Sequence, residues 1–250
     1  MLFYAKIAGV LISFIFLIWF TYFLSHHKSH QVTDITVSGQ KYISEDDIRN
    51  IALEKINGNY LFLFSKKSSF LIPRSDIKRE IKDNFKSVEK VSISFESVHS
   101  FSITIKEFEP VAKWCDEEGC YLMNDNGTVF IKEPMIFTES LVNFYGLFEG
   151  EKIGQTFISK EKFEDILEFV KNVKELDLNV KNVTYDKEDG TLDLMLARGS
   201  EIYVNQNDDL NVALKNLKAA IQQDAIEGAQ LNNIEYIDLR FGKKVFYKLR

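Results

Sequence analysis

Apolar runs and alternating patterns divide the chain into segments with different predicted structures. Residues 7–24 carry no charged side chain, and Ser13 and Thr21 are their polar ones. At about 1.5 Å per residue they form a helix of roughly 27 Å, which crosses a bilayer core if the flanking residues contribute. We predict a transmembrane helix over 7–24, a short tail over 1–6 and a polar linker over 25–31.

A cleaved signal peptide is the alternative interpretation of this segment. Signal peptides have shorter apolar regions and end in small residues, whereas this segment ends in Phe-Leu-Ser-His-His. Its distal end carries Trp19, Tyr22 and Phe23, as in the aromatic belt of a membrane interface. Since no second apolar span follows, we favour a single-pass type II arrangement, with residues 1–6 in the cytoplasm and the bulk of the chain outside.

Residues 32–107 alternate between strand and helix patterns. Residues 35–37 predict a short strand, and Ser44 with Asp47 resembles a capping box at the start of a helix. A second helix is indicated after Pro73 by apolar residues at four-residue spacing, namely Ile77, Ile81 and Phe85. Two alternating segments, 88–95 and 101–107, then predict strands. The predicted order is strand, helix, helix, strand, strand.

Residues 108–250 read mainly as strands joined by glycine turns, among them Asp189-Gly190 and Gly199. Helical spacing occurs in residues 210–221 and in an earlier set, Phe163, Ile166, Leu167, Val170 and Val173. We expect eight or nine strands and two helices, with antiparallel pairing predominating. The fold class predicted for the whole chain is α+β.

The last residues, IEYIDLRFGKKVFYKLR, predict a hairpin with its turn at Phe241-Gly242. A strand over residues 244–249 would leave a row of unpaired backbone groups at the sheet edge. Val245, Tyr247 and Leu249 share one parity, and they either face the core or take part in binding at this edge. Phe246 alternates with Lys244 and Lys248 and is the more exposed candidate.

Four stretches resemble the FtsQ/DivIB family of bacterial cell-division proteins. They are ITVSGQKYISEDDI, SITIKEFEPVAKW, YLMNDNGTVF and EYIDLRFGKKVFYK, in that order behind one membrane anchor. The resemblance implies a POTRA domain over residues 32–107 and a C-terminal β domain over 108–250. It also implies a partner-binding surface, which maps here to Arg240, Phe241, Val245, Phe246, Tyr247, Lys248 and Leu249.

The resemblance further implies a non-enzymatic scaffold at the division septum of the bacterial plasma (inner) membrane. Its expected partners are FtsB/DivIC-like and FtsL-like division proteins, which bind by pairing with the edge strand, and it would reach the septal wall synthesis machinery indirectly. A POTRA-containing envelope transport component is an alternative, although such proteins carry tandem POTRA repeats. A cell-wall enzyme is another.

Composition and charge exclude several other classes of function. The chain has 31 Lys+Arg against 37 Asp+Glu, a net charge of −6, without a basic block. This balance gives no electrostatic surface for nucleic acid. A hydrophobic content of 45% also excludes a disordered chain.

The residues that could carry chemistry are few. Cys115 and Cys120 bracket a four-residue turn, and they form either a disulfide in an oxidising compartment or free thiols. His26, His27 and His30 lie in the polar linker without carboxylates in register, so we expect no metal there. The sequence contains no nucleotide-binding or hydrolase motif. We therefore expect no catalytic residues, no cofactor and no small-molecule substrate.

Overall fold

The apolar N-terminal segment forms one long helix, α1 (Leu2–His26), in the computed structural model of the chain. The structure describes residues 2–135, 137, 140–146, 150–186, 190–222 and 233–250. The part Lys6–His26 is long and apolar enough to cross a membrane, and its 18-residue apolar window is not buried inside the protein. The helix extends beyond the predicted span of 7–24 at both ends. A short 3-10 helix, Lys28–His30, follows it within the predicted linker.

The chain divides into two compact units, Met1–Phe108 and Glu109–Arg250. After α1, the first unit continues with one strand, two helices and two further strands, and a small ribbon lies between the helices. The elements are β1 (Asp34–Ser38), α2 (Glu45–Ile56), the ribbon strands β2 (Asn59–Tyr60) and β3 (Phe64–Ser65), α3 (Arg74–Asn84), β4 (Val88–Phe95) and β5 (Ser100–Glu107). The predicted order of this unit is confirmed.

The first unit is built on a three-stranded sheet in the order β1-β5-β4. Strand β1 is parallel to β5, and β4 is antiparallel to β5. The apolar stripes of α2 and α3 pack on this sheet, so that Ile48, Ile77 and Ile81 are fully buried together with Phe101 and Ile103. The four-residue apolar spacing in the sequence therefore marks the buried faces of both helices.

The start of α2 differs from the predicted capping box. The helix begins directly after Ser44, but the Ser44 side chain makes no cap hydrogen bond. The first turn instead carries three carboxylates, on Glu45, Asp46 and Asp47. Negative charge at a helix N-terminus interacts favourably with the helix dipole, so the acidic turn stabilises this end without the hydroxyl.

In the described part of the second unit, nine strands form one mixed sheet in the order β14-β13-β12-β11-β10-β9-β6-β7-β8. Three neighbouring pairs are parallel, β6–β9, β9–β10 and β12–β13, and the other five are antiparallel. The strands are β6 (Ala112–Asp116), β7 (Gly119–Met123), β8 (Val129–Lys132), β9 (Asn143–Tyr145), β10 (Val180–Asp186), β11 (Thr191–Leu196), β12 (Glu201–Asn205), β13 (Ile234–Phe241) and β14 (Lys244–Leu249). The predicted α+β class and the antiparallel majority are confirmed.

Two amphipathic helices, α4 (Lys160–Lys174) and α5 (Leu210–Gln222), share one hydrophobic core with this sheet. Phe163 of α4 is fully buried, and its ring centroid lies 5.3 Å from that of Phe144 in β9. The predicted hairpin at Asp189-Gly190 is formed by β10 and β11, which pair antiparallel. Asp189 itself lies outside the described residues.

Strand β9 holds the two halves of the large sheet together. It has only three residues, yet it pairs with β6 on one side and with β10 on the other. Phe144, at its centre, lies opposite Trp114 of β6 and Val183 of β10, and all three side chains are buried. The continuity of the sheet therefore depends on a very short strand and on the packing of one phenylalanine.

The two cysteines lie opposite each other across the β6–β7 hairpin. Cys115 pairs with Cys120 in the strand register, and their sulfur atoms are bonded at 2.04 Å. The bond closes a turn of four residues and therefore acts locally within the hairpin. Whether the pair is oxidised in the cell stays a prediction from the sequence.

Candidate partner-binding site

Strand β14 forms one edge of the large sheet. It pairs antiparallel with β13, and among the described residues no strand lies on its other side. The register places Phe246 opposite Asp238 and Leu249 opposite Ile234. The register shifts between Ile234 and Tyr236, where β13 has one residue more than β14. The extra residue therefore belongs to β13, and β14 has no bulge at this point. An edge strand of this kind can accept a further strand.

Alternate residues of β14 point their backbone N–H and C=O groups away from β13. The Arg250 N–H donates to the Asn233 carbonyl at 2.8 Å, so the backbone of this residue points toward β13. Neighbouring residues of a strand point their backbone groups to opposite sides. Since Leu249 and Val245 have the opposite parity, their N–H and C=O groups point away from β13, toward a strand that would add to the edge.

Six of the seven residues assigned to the partner surface are exposed. They are Arg240, Phe241, Phe246, Tyr247, Lys248 and Leu249, while Val245 is half-buried and packs against the core. The alternative that residues of this parity face the core therefore applies to Val245 but not to the exposed Tyr247 and Leu249. Phe246 is 49% exposed, although it lies in a strand.

The two exposed phenylalanines of the final hairpin touch each other. The ring centroids of Phe241 and Phe246 lie 5.1 Å apart, with an interplanar angle of 82°. Edge-to-face pairs of this kind hold both rings in defined positions. Together the two rings form an ordered apolar surface beside the outer edge of β14.

The structure groups Asp238, Tyr203 and Tyr236 with Arg240, although the sequence pattern did not indicate these three residues. Arg240 donates from Nε to Asp238 Oδ1 at 2.9 Å and from Nη2 to Asp238 Oδ2 at 2.6 Å. Its guanidinium also lies over the Tyr203 ring, 5.1 Å from the centroid, and the Tyr203 and Tyr236 rings are 5.7 Å apart. Because β12 and β13 are parallel neighbours, side chains distant in sequence form one aromatic and cationic cluster.

Electrostatics fix the protonation of this cluster. The hydrogen bonds from Arg240 hold the pKa of Asp238 below its ordinary value and raise that of Arg240 itself. A hydrogen bond to Glu201, with burial adding to it, raises the pKa of Tyr203 to about 12. At neutral pH the cluster therefore carries an ionised Asp238, a charged Arg240 and a neutral Tyr203 hydroxyl.

The Asp238–Arg240 pair is expected to contribute to stability in a defined pH range. Because the folded-state pKa of Asp238 lies below its ordinary value of 3.8, its contribution is fully present above that value and disappears as the pH falls through the lower one. Asp238→Asn should cost about 1–3 kcal/mol near pH 7, as expected for hydrogen bonds to a buried charge. The measurement is the free energy of unfolding by urea at a series of pH values.

The stability difference between the wild type and Asp238→Asn should shrink below about pH 4, because the unfolded wild type takes up a proton at the ordinary pKa of 3.8 while the folded protein does so only at its lower pKa. Lys248, whose partner Glu235 lies at the surface, provides a control. Lys248→Gln should change stability by less than about 1 kcal/mol, as surface ion pairs usually do. A difference for Asp238→Asn that stays constant from pH 7 to pH 2 would contradict the assignment.

Fold and site together define a class of protein. A long apolar helix is followed by a unit with the order strand, helix, helix, strand, strand and then by a mixed-sheet unit, whose edge strand β14 carries no further strand in the described part of the chain and is flanked by aromatic rings. These are the features of a membrane protein with a single apolar helix in its described residues and a surface suited to strand addition.

Comparison with known families identifies the group. The family model described as "Cell division protein FtsQ/DivIB, C-terminal" matches residues 112–240, just over half of the 250-residue chain. The chain belongs to the FtsQ/DivIB family of cell-division proteins, as the sequence motifs predicted. No curated protein matches the chain. The matched region ends at Arg240, so strand β14 lies beyond it.

Proposed function

We propose that this division protein is a non-enzymatic scaffold that captures an extended segment of its partners at the β14 edge. The observation that carries the proposal is the bare edge itself, with outward backbone groups at Val245 and Leu249 beside the Phe241–Phe246 pair. Backbone hydrogen bonds to an added strand would supply affinity, and the rings would supply specificity. FtsB/DivIC-like and FtsL-like division proteins are the partners that the family suggests.

The membrane arrangement is part of the same proposal. Residues 1–6 lie in the cytoplasm, α1 crosses the plasma (inner) membrane once, and the bulk of the chain lies outside as in a type II protein. The proposed POTRA domain, 32–107, and the C-terminal β domain, 108–250, then act at the septum. Through its partners the protein would reach the wall synthesis machinery without catalysing a reaction itself.

The charge of the edge indicates what the partner strand should contain. Residues 240–250 carry five basic side chains and no acidic one, namely Arg240, Lys243, Lys244, Lys248 and Arg250, although the whole chain has a net charge of −6. Arg240 and Lys248 are paired with Asp238 and Glu235 of β13, so the excess positive charge comes from the other three. Opposite charges across an interface speed association and exclude wrong partners. We expect a partner segment in which apolar residues alternate with Asp or Glu.

Leu249→Pro and Leu249→Ala form a pair of variants that tests strand addition. Both remove the leucine side chain, but only proline also removes the N–H that points away from β13. If a partner strand accepts that N–H group, Leu249→Pro should bind about tenfold more weakly than Leu249→Ala, the effect of one hydrogen bond. The measurement is the dissociation constant for the co-purified FtsB/DivIC-like and FtsL-like pair.

Both variants should keep the unfolding midpoint of the wild type, since the inward ladder to β13 is unchanged. Equal affinities of Leu249→Pro and Leu249→Ala would rule out backbone pairing at this position. Loss of binding in both, with stability unchanged, would instead assign the contact to the leucine side chain.

A further inference from the structure

The loop between β2 and β3 carries large apolar side chains that face away from the protein. Leu61 is 81% exposed and Phe62 is 96% exposed, and Leu63 beside them is exposed as well. We call these three residues the apolar tip. Exposed apolar side chains in a contiguous group mark a site of contact with another molecule or with a membrane.

The backbone of the apolar tip is unusual for such side chains. The Leu63 N–H donates to the Tyr60 carbonyl at 2.9 Å, and the φ angles of Leu61 and Phe62 are 49° and 62°. Positive φ at both central residues is the geometry of a type I′ turn, which strongly favours Asn and Gly. Leucine and phenylalanine are strained here and bury nothing within the fold. We therefore infer that these side chains contact another molecule or a membrane.

The small ribbon is fastened to the end of the membrane helix. Strand β3 packs against α1, and the Ser65 N–H donates to the buried Ser25 hydroxyl at 3.4 Å. Further along, the Ser69 N–H donates to the His30 carbonyl at 2.8 Å, and the Val32 N–H donates to the Lys67 carbonyl at 2.9 Å. The ribbon and the end of α1 therefore hold a fixed position relative to each other.

This attachment keeps the tip within reach of the bilayer surface. Leu63 lies two residues before Ser65, and at about 3.3 Å per strand residue this separation is about 7 Å. The polar zone on each side of the hydrocarbon core is about 5–8 Å thick. Since α1 carries Trp19, Tyr22 and Phe23 in its last turns, the position of the bilayer interface coincides with the point where the ribbon is attached.

The charge around the tip suits a lipid surface. Between Glu54 and Asp76 the sequence contains no carboxylate, but it contains Lys66 and Lys67 beside the ribbon, and exposed Lys28 lies in the attached segment. The chain as a whole is acidic. Apolar side chains flanked by lysines are typical of segments that lie in the interface of a membrane with anionic lipids.

We propose that the apolar tip, Leu61–Phe62–Leu63, inserts into the bilayer interface next to the end of α1, with Lys66 and Lys67 at the anionic headgroups. This second contact would fix the orientation of the first unit on the membrane. The proposal goes beyond partner capture at β14, and it requires only that α1 crosses the bilayer.

The test uses the full chain in vesicles of phosphatidylcholine and phosphatidylglycerol that contain no other protein. Cysteine replaces Phe62, Leu53 or Val10 in separate variants, and each carries an environment-sensitive fluorophore. The two native cysteines, Cys115 and Cys120, are replaced with serine in every variant, so the introduced thiol is the one that is labelled. Leu53 is the matched control because it is an exposed leucine of α2 in the same unit, and Val10 in α1 reports that the helix is inserted.

At position 62 we expect a blue-shifted emission and quenching by headgroup-proximal lipid nitroxides at least threefold stronger than at position 53. Replacing both Lys66 and Lys67 with glutamine, or omitting phosphatidylglycerol, should reduce the quenching at position 62. Quenching at 62 no stronger than at 53, while position 10 is quenched, would overturn the proposal. That result would leave a protein as the ligand of the tip.

Discussion

Replacing Phe246 with glutamate is expected to weaken capture of the partner pair by about 100-fold or more. A central aromatic residue of an interface commonly contributes at least 2 kcal/mol, and a carboxylate at this position would also lose its hydration when a partner strand covers it. Phe246 is half-exposed and touches the Phe241 ring. The measurement is the dissociation constant for the FtsB/DivIC-like and FtsL-like pair.

The fold should survive this substitution because the Phe246 side chain is outside the core. Leu53→Glu is the matched control, since it introduces the same charge at a similar exposure, 45% against 49%, in the other unit. We expect Leu53→Glu to bind like the wild type. Wild-type affinity in Phe246→Glu would show that the rings beside β14 are not the contact.

Replacing Phe144 with alanine is expected to reduce the stability of the second unit by about 3–5 kcal/mol, the usual cost of a large cavity in a core. This loss is about a fifth or more of the 5–15 kcal/mol by which a typical domain is stable. The expected loss is large because Phe144 is fully buried, packs against Phe163 and lies at the centre of the three-residue strand β9. Urea unfolding in detergent, followed by tryptophan fluorescence, measures the effect.

The chain has two tryptophans, so the experiment is best done in a Trp19→Phe background. The remaining Trp114 lies in the same core as Phe144 and reports the second unit. Phe241→Ala removes an exposed phenylalanine, 57% exposed, and should cost less than about 1 kcal/mol. A loss below about 1 kcal/mol for Phe144→Ala would mean that β9 does not support the core as inferred.

Elements with a strong local pattern were predictable from the sequence. The final hairpin, the helix α4 and the strands β4 and β5 follow from alternation or from helical spacing alone. The pairing of β9 with β6 and β10 and the parallel pairing of β12 with β13 do not, because β9 has three residues and α5 lies between β12 and β13 along the chain. Long-range pairing leaves no mark in a local pattern.

The same limit applies to the candidate site. Arg240 and Phe246 belong to the final hairpin, so the sequence motif places them at the edge. Tyr203 reaches Arg240 only through the parallel β12–β13 pair. The alternation in EIYVN indicates that Tyr203 and Glu201 share the face opposite Ile202, but not which residue lies beside them. For the apolar tip, the run from Tyr60 to Phe64 shows hydrophobicity without showing that the turn exposes it.

The short strand β9 also has a mechanical consequence. A pull on β14 that acts across the sheet, away from β8, is carried in series through every strand pair between them. The smallest pair in that series is β6–β9, with two registered residues, whereas β9–β10, β12–β13 and β7–β8 have three each. Under such a pull the sheet would separate first between β6 and β9, and the part from β9 to β14 would come away as one piece.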